Sequence, residues 1–530
     1  MPTEADPDVW GHVQFGVDIV SSRAIPAADP YSFTSDVPWI NHEWLAEVAM
    51  GLAFSRAGTA GLVLLRWGLL AVAFAALYLT LRRLAVHHLV RDLVLLVAAV
   101  GVYSQAATIR PQVFSLALFS VMLACLTRAT PAGFRSLYAL PPLFALWVNL
   151  HGGWLVGAGA LVLWTAAKAF EFGPAAPLVR ALLVSGLLSA LATLINPYGT
   201  AMLDFLSTTV EFGRGDITEW QPIYFYPGSF AHWLLVLSAV AWGALRARRS
   251  PGAAETALVV GLALASARVG RLLGFFALAA AHTCGPLLQQ ALEPLTRAEV
   301  GPTDRVTRTS LRLVAAAFVA LLFAVAVRSL ACIVVIGEWV PDRAAARFVV
   351  AQRLKGRMVT GFEWGEYALW SFGPDVKVSM DGRRETVYSS DTRRRHRDLY
   401  LATPSGLEYL DSLEADYVWL PNHTPVVKRL LELEWLALFS SEASTVFGRV
   451  PLPGVARAKE APPQKACFPY NGYASKNEVN SPWSVPFASM SHASSPPNAG
   501  PPSPRSVTAC RMPPWSLTRP NLCLAGCSCC

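Results

Sequence analysis

From residue 59 onward the chain is a succession of apolar runs separated by short polar connections. Runs at 59–81, 92–109, 111–127, 137–150, 153–169, 180–195, 229–245, 254–267, 272–290 and 311–336 predict about ten membrane-spanning helices. Several are shorter than the roughly 20 residues that a straight span requires, and Arg268 and Arg271 interrupt the stretch 254–290. Before the first run, residues 41–58 (NHEWLAEVAMGLAFSRAG) place apolar side chains at helical spacing behind Asn41, a candidate N-cap, and predict an amphipathic helix on the membrane surface. Residues 25–39 (IPAADPYSFTSDVPW) concentrate Pro, Asp and Ser and predict an ordered loop. The pattern changes again at 338–455, where GRMVTGFEWGEYALWSF, VKVSMDGRRETVY, LEADYVWLPN and TPVVKRLLELEWLALF alternate short strands with helices, as in a small α/β domain. From 456 to 530 Pro, Ser, Ala and Asn dominate and no core can be buried, so a disordered tail is expected. The division is thus a first loop with its surface helix at 1–58, a helical membrane domain at 59–337, an α/β domain at 338–455, and the tail.

Composition agrees with the pattern. Hydrophobic residues make up 53% and charged residues 15%, against about 25% charged in ordinary soluble domains, and the mean hydropathy is +0.39. The net charge of +8 is scattered in short clusters between apolar runs rather than gathered on one surface, which excludes a nucleic-acid-binding face. Alternate connections carry Arg82, Arg83 and Arg91; Arg128 and Arg135; Lys168 and Arg180; Arg246, Arg248 and Arg249; and Arg297, Arg305, Arg308 and Arg312. These are expected to be cytoplasmic, because basic residues are retained on that side. The opposite connections hold only Arg110, Arg214, Arg268 and Arg271. The first 58 residues and the α/β domain then lie outside the cytoplasm. The nine cysteines show no disulfide framework, since Cys125, Cys284 and Cys332 sit in apolar segments and five others crowd between Cys510 and Cys530. There is no pair of C-x-x-C motifs to hold zinc. The terminal cysteine clump would suit palmitoylation, but its expected side of the membrane opposes that.

The basic-poor side carries nearly every unusual polar residue: DPDVWGH (6–12), NHEWLAE (41–47), TIRPQ (108–112), NLHGGW (149–154), NPYG (196–199), DITEWQP (216–222) and RVGR (268–271). Loops that merely join helices have no reason to sort this way, and polar groups at membrane depth usually mark a site. Asp6 and Asp8 could act as general base or bind a divalent metal such as Mg or Mn; the competing reading is a turn whose aspartates cap a helix. His42 and Glu43, beside Trp39 and Trp44, could bind an acceptor or a sugar, or add a metal ligand; an interfacial aromatic belt would also place them there. His12 has the same two readings, and the interfacial one is preferred for it. Arg110, Arg268 and Arg271 stand at outer helix ends where a phosphate headgroup would justify a guanidinium, with snorkelling to lipid as the alternative. His151 beside Gly152 and Gly153 permits close backbone approach to a ligand, and Glu219 with Trp220 could cover the site. Asn196, Pro197 and Tyr198 read as a helix end, and DGRRE (381–385) as a strand end with a charged turn that could hold a ligand. No Walker A sequence and no G-x-G-x-x-G after a strand is present, so a lipid-linked donor suits the chain better than a nucleotide.

At DPDVWGHVQFG, DPYSFT, NHEWLAE, RPQVFSL, NLHGG, NPYG, EWQP and GFEWGEYALWSF…VSMDGR the chain resembles a bacterial family of multi-spanning proteins grouped with the GT-C glycosyltransferases, a class that includes the protein O-mannosyltransferases. The likeness covers roughly residues 5–430. It implies a GT-C-like polytopic helical fold in the bacterial plasma membrane and a polyprenyl-phosphate-linked sugar donor. The acceptor would be an extracytoplasmic glycan, lipid or protein. It also implies a catalytic acid in the first outer loop, carried onto Asp6 and Asp8, with His42 and Glu43 in support and Arg110 on the donor phosphate. In the class a transmembrane helix precedes that loop, whereas five residues precede Asp6 here. An eleventh, leading helix is therefore expected upstream. Two other classes compete: a transporter or flippase for lipid-linked saccharides, which should show internal repeats and polar helices at mid-membrane, and a non-catalytic envelope protein of the same fold.

Overall fold

A computed structural model of the chain describes residues 3–205, 218–248, 251–297, 332–337, 340–451, 456–457 and 465–469, with residues 324, 327 and 330. Most of the tenth apolar run, Arg214, Arg249, the arginines at 305–312, and nearly all of the tail beyond 456 lie outside the described residues. Helices among the described residues up to 297 include α1 (Val9–Ser22), α2 (Trp44–Arg83), α3 (His88–Ala106), α4 (Gln112–Arg128), α5 (Leu140–Trp147), α6 (Trp154–Phe172), α7 (Pro177–Ala192), α8 (Pro227–Arg246), α9 (Ala253–Arg268) and α10 (Leu273–Arg297). Among the described residues, five helices have the length and composition to cross a membrane: α2, α3, α6, α8 and Gly270–Glu293, which overlaps α10; α4 and α7 are apolar but shorter. The 137–150 run is cut to an eight-residue helix, preceded by a 3-10 turn at Arg135–Ala139. Pro141 and Pro142 lack the amide protons of a continuous ladder and start a helix rather than extend one. The hub is Gly270–Glu293, whose apolar window is 83% buried against 11% for α8.

Helix α2 is broken at Ala57 and Gly58, where φ and ψ leave the helical region. The break separates the amphipathic segment from the spanning one. Helix α1 was not expected: its sequence VWGHVQFGVDIVSS has two glycines and four valines, poor helix formers in isolation. Tertiary contact makes it. Gly16 and Gly51 bring α1 and α2 backbone to backbone, for a Cβ on Gly16 would strike the Glu47 carbonyl and one on Gly51 would lie 2.6 Å from the Gly16 carbonyl carbon.

After the membrane domain, the chain forms a six-stranded mixed sheet among the described residues. Its strands are β2 (Gly356–Thr360), β3 (Val376–Val378), β4 (Tyr417–Pro421), β5 (Leu436–Ser440), β6 (Ser444–Gly448) and β7 (Ala456–Arg457), in the order β3-β2-β4-β6-β5-β7. Strand β2 runs parallel to both β3 and β4, and β6 is antiparallel to β4 and β5. The parallel connections are long enough to carry helices, among them α12 (Gly365–Phe372), which follows α11 (Arg343–Ala351). Residues 332–336 close the last apolar run as coil and strand, not helix: β1 (Val334–Ile336) pairs with β8 (Lys465–Cys467), and Cys332 is disulfide-bonded to Cys467. The expectation of no structural disulfide is therefore corrected. Sequence separation hid the pairing, because the partners are 135 residues apart.

The first loop and the α/β domain share one apolar core, in which Val9, Trp10, Val13, Phe15 and Trp39 pack with Trp364, Tyr367, Val378 and Trp419. Arg383 locks the two together. Its Nη1 and Nη2 donate to the two Asp29 oxygens at 2.6 and 2.9 Å, and its Nε and Nη2 donate to Asp381 at 2.9 and 2.7 Å. The rings of Trp39, Phe15 and Tyr31 surround the guanidinium at 4.8, 5.0 and 5.2 Å. At Arg383 the DGRRE turn is thus occupied by the chain's own loop rather than left open for a ligand.

Candidate active site

Six segments that are remote in sequence meet at one end of the bundle: the start of α1, the residues before α2, the turn between α3 and α4, the turn between α5 and α6, and the turns at 218–220 and 270–272. Hydrogen bonds fix their relation. Trp44 Nε1 donates to Asn149 Oδ1 at 2.9 Å, Leu45 N to Asn149 O at 3.1 Å, and Asn41 N to the Tyr198 hydroxyl at 3.0 Å. Gln105 Nε2 donates to the carbonyls of Gly270 and Arg271 at 3.2 and 2.8 Å.

The charged side chains form a continuous network. Arg110 pairs with Asp6 and with Glu219. Arg271 reaches Glu219 at 3.7 Å and His151 Nε2 at 3.4 Å. His151 Nε2 is 3.7 Å from Glu43 Oε1, which also lies 3.5 Å from His42 Nε2, while Glu43 Oε2 is 3.9 Å from His12 Nε2. His12 Nδ1 meets Glu47 at 3.2 Å, and Asp8 is close enough to raise the charge affinity of His12. Seven of the eight expected residues (Asp6, His42, Glu43, Arg110, His151, Glu219 and Arg271) therefore join one charged network, and Asp8 adjoins it through its amide hydrogen bond to Asp6. Arg268 has no place among these pairs. Beyond the expected residues, His12 and Glu47 join the network, Ser115 faces His151 Nδ1 at 2.8 Å, and Glu366 of the distant α/β domain accepts the Gly11 amide. The i, i+4 step from Glu43 to Glu47 was the signal available for Glu47.

Burial and neighbouring charges set the protonation states. Burial disfavours a charged His12, but the hydrogen bond to Glu47 and the carboxylates of Glu43, Glu47 and Asp8 outweigh it and raise its pKa to about 9. Burial lowers the His151 pKa to about 3, with Arg271 acting in the same direction, so this imidazole is neutral. Gly153 N donates to His151 Nδ1 at 2.9 Å, leaving the ring proton on Nε2, toward Glu43. For Glu43 burial is likewise outweighed, by His42, His151 and His12, and its carboxyl is held well below the usual range. Glu219 is shifted the same way by Arg110 and Arg271 against the effect of burial. Asp8 moves in the opposite sense: burial and the Asp6 charge push it well above an ordinary carboxyl.

The two aspartates thus differ. Asp6 is 2% exposed, paired with Arg110, and accepts the Asp8 amide at 3.1 Å. Asp8 is half-buried and, among the described residues, its carboxylate receives no capping hydrogen bond. A divalent cation held by both would have to displace Arg110 from Asp6. Among the described residues no group of three or more His, Cys, Asp or Glu side chains is arranged to hold a metal ion.

ArnT from Cupriavidus metallidurans bound to undecaprenyl phosphate has a similar structure, with a TM-score of 0.51 at 13% identity over 85% of this chain and 95% of that one. The chain shares its fold with ArnT. The apo form of the same protein matches at a TM-score of 0.48 over 85% of this chain and 94% of that one, also at 13% identity. No family model and no curated protein sequence matches the chain. At this identity the likeness concerns the backbone arrangement, and the reaction is argued from the site.

Proposed function

We propose that this chain transfers a sugar from a polyprenyl-phosphate donor to an extracytoplasmic acceptor, in a bacterial plasma membrane. The observation that carries the reading is the pairing of two unlike features in one network: a half-buried Asp8 carboxylate free of capping bonds, and two arginines bridged by Glu219, whose side chain is 40% exposed. A phosphate that displaced Glu219 would find both guanidinium groups, and such oxyanions are bound bidentately by arginine. The undecaprenyl phosphate bound to ArnT supports this class of donor. The disulfide between Cys332 and Cys467 supports an oxidising, extracytoplasmic setting for the α/β domain.

In the proposed reaction the acceptor oxygen attacks the anomeric carbon in line with the departing phosphate. The acceptor proton passes to Asp8, whose raised proton affinity suits a general base. The bond from the anomeric carbon to the phosphate oxygen breaks, its electron pair goes to the lipid phosphate, and Arg110 and Arg271 stabilise that charge. Asp6 holds Arg110 in place. His42 and Glu43 contact the acceptor or sugar, with His151 orienting Glu43.

The test is transfer by purified protein from undecaprenyl-phosphate-linked mannose, glucose or galactose to a bacterial envelope extract, with and without a chelator. Asp8→Asn is expected to lower turnover about 10²- to 10⁴-fold. Arg110→Gln is expected to weaken binding of undecaprenyl phosphate about tenfold or more, the scale of a charged hydrogen bond. Equal turnover in wild type, Asp6→Asn and Asp8→Asn would remove the carboxylate from the mechanism.

A further inference from the structure

Asp8 occupies the N-cap position of α1, yet its side chain caps nothing. An aspartate there normally accepts an amide proton from the first turn. The relevant amide is already taken: Gly11 N donates to Glu366 Oε2 at 2.9 Å. Glu366 belongs to α12 of the α/β domain, 355 residues away, and is 3% exposed. The close approach is built in on both sides. A Cβ on Gly11 would strike the Glu366 carboxylate, and a Cβ on Gly382 would strike Asp8 Oδ1 and lie 2.8 Å from Glu366 Oε1. A side-chain oxygen that accepts an amide proton of the first turn caps a helix wherever it comes from, so a second domain can supply the cap.

We propose that Glu366 is a positioning residue: by capping α1 in place of Asp8, it leaves the Asp8 carboxylate uncapped, against Gly382, and available to the acceptor. The inference rests on the transfer reaction proposed above, but the cap itself can be read without any transfer. When Glu366 is shortened, Asp8 rotates inward to the vacant amide and leaves the substrate. The α/β domain is thereby part of the catalytic apparatus, and a folded membrane domain alone is insufficient.

The experiment uses the full chain and four variants: Glu366→Ala, Glu366→Gln, Asp8→Ala and the Asp8→Ala/Glu366→Ala double variant. Hydrogen–deuterium exchange at the Gly11 amide is expected to stay slow in wild type, in Asp8→Ala, where Glu366 still caps, and in Glu366→Ala, where Asp8 takes over. It should quicken about fivefold only in the double variant, the scale of a lost N-cap. Fast exchange in Asp8→Ala would make Asp8 the cap and overturn the proposal, as would fast exchange in Glu366→Ala. In the transfer assay Glu366→Ala should lower kcat about tenfold or more with KM changed less than about twofold, the signature of a lost transition-state interaction. Glu366→Gln, which retains a carbonyl acceptor, should restore kcat to within about threefold of wild type. In the Asp8→Ala background, Glu366→Ala should cost nothing further. A full additional loss there, or a Gln variant as impaired as Ala, would show that Glu366 acts on its own and overturn the proposal. If wild type transfers none of the three sugars, the reaction reading fails while the exchange cycle still decides the cap.

Discussion

Replacing Arg383 by Met removes an ion pair that ties the first loop to the α/β domain. The guanidinium is 6% exposed and engages both oxygens of Asp29 and both of Asp381. Met preserves much of the stem packing against Phe15, Tyr31 and Trp39 but leaves two nearly inaccessible carboxylates without their cation. Breaking a buried pair from one side costs about 3–5 kcal/mol, and losing the three ring contacts adds about 0.5–2 kcal/mol. Neutralisation of the stranded carboxylates offsets part of the sum, so about 4 kcal/mol is expected. The assay is reversible unfolding in detergent micelles followed by tryptophan fluorescence, to which Trp39 beside the guanidinium contributes. A double-mutant cycle with Asp29→Asn sharpens it. Asn keeps an oxygen for the Tyr31 amide, which Asp29 accepts at 2.9 Å, yet removes one stranded charge. The double variant should therefore be more stable than the two single losses summed, by about 2 kcal/mol. A loss under about 1 kcal/mol for Arg383→Met, or simple additivity with Asp29→Asn, would refute this account of the clamp.

The charge on His12 makes stability pH-dependent. Its pKa is raised from 6.5 to about 9, so the folded state holds the proton more tightly than the unfolded one. The contribution is complete below pH 6.5 and is lost as pH rises toward 9, amounting to about 3 kcal/mol at 1.36 kcal/mol per unit. Unfolding of wild type and His12→Gln, measured from pH 6 to 10, should converge as pH rises; a constant difference would contradict the charged His12. The disulfide supplies another test. Cross-linking residues separated by 135 positions stabilises by up to about 5 kcal/mol on the loop-entropy view. Cys332→Ser should lower the melting temperature and add one thiol reactive to maleimide at Cys467 under non-reducing conditions. Maleimide labelling of both cysteines in unreduced wild type would rule out the bridge.

Hydrophobic patterning alone located the helical runs from 59 to 290, since a run of apolar side chains near membrane length has few alternatives to a helix. It also marked the break after residue 58 and the change to strand and helix alternation after 338. The uneven distribution of arginine then put Asp8, Arg110, His151, Glu219 and Arg271 on one side, before any contact was known. All of these are local or additive properties of the sequence. What required tertiary structure was every relation across long separations: the backbone contact at Gly16 and Gly51 that makes α1 a helix, the Cys332–Cys467 bridge, and the burial of Arg383 between two domains. DPDVWGH alone offers two aspartates, either of which could cap a helix or serve as base. The fold separates their roles by giving Asp6 to Arg110 and the α1 amide to Glu366. A side chain's chemistry is set by which partners reach it first, and here the deciding partner enters from the far end of the chain.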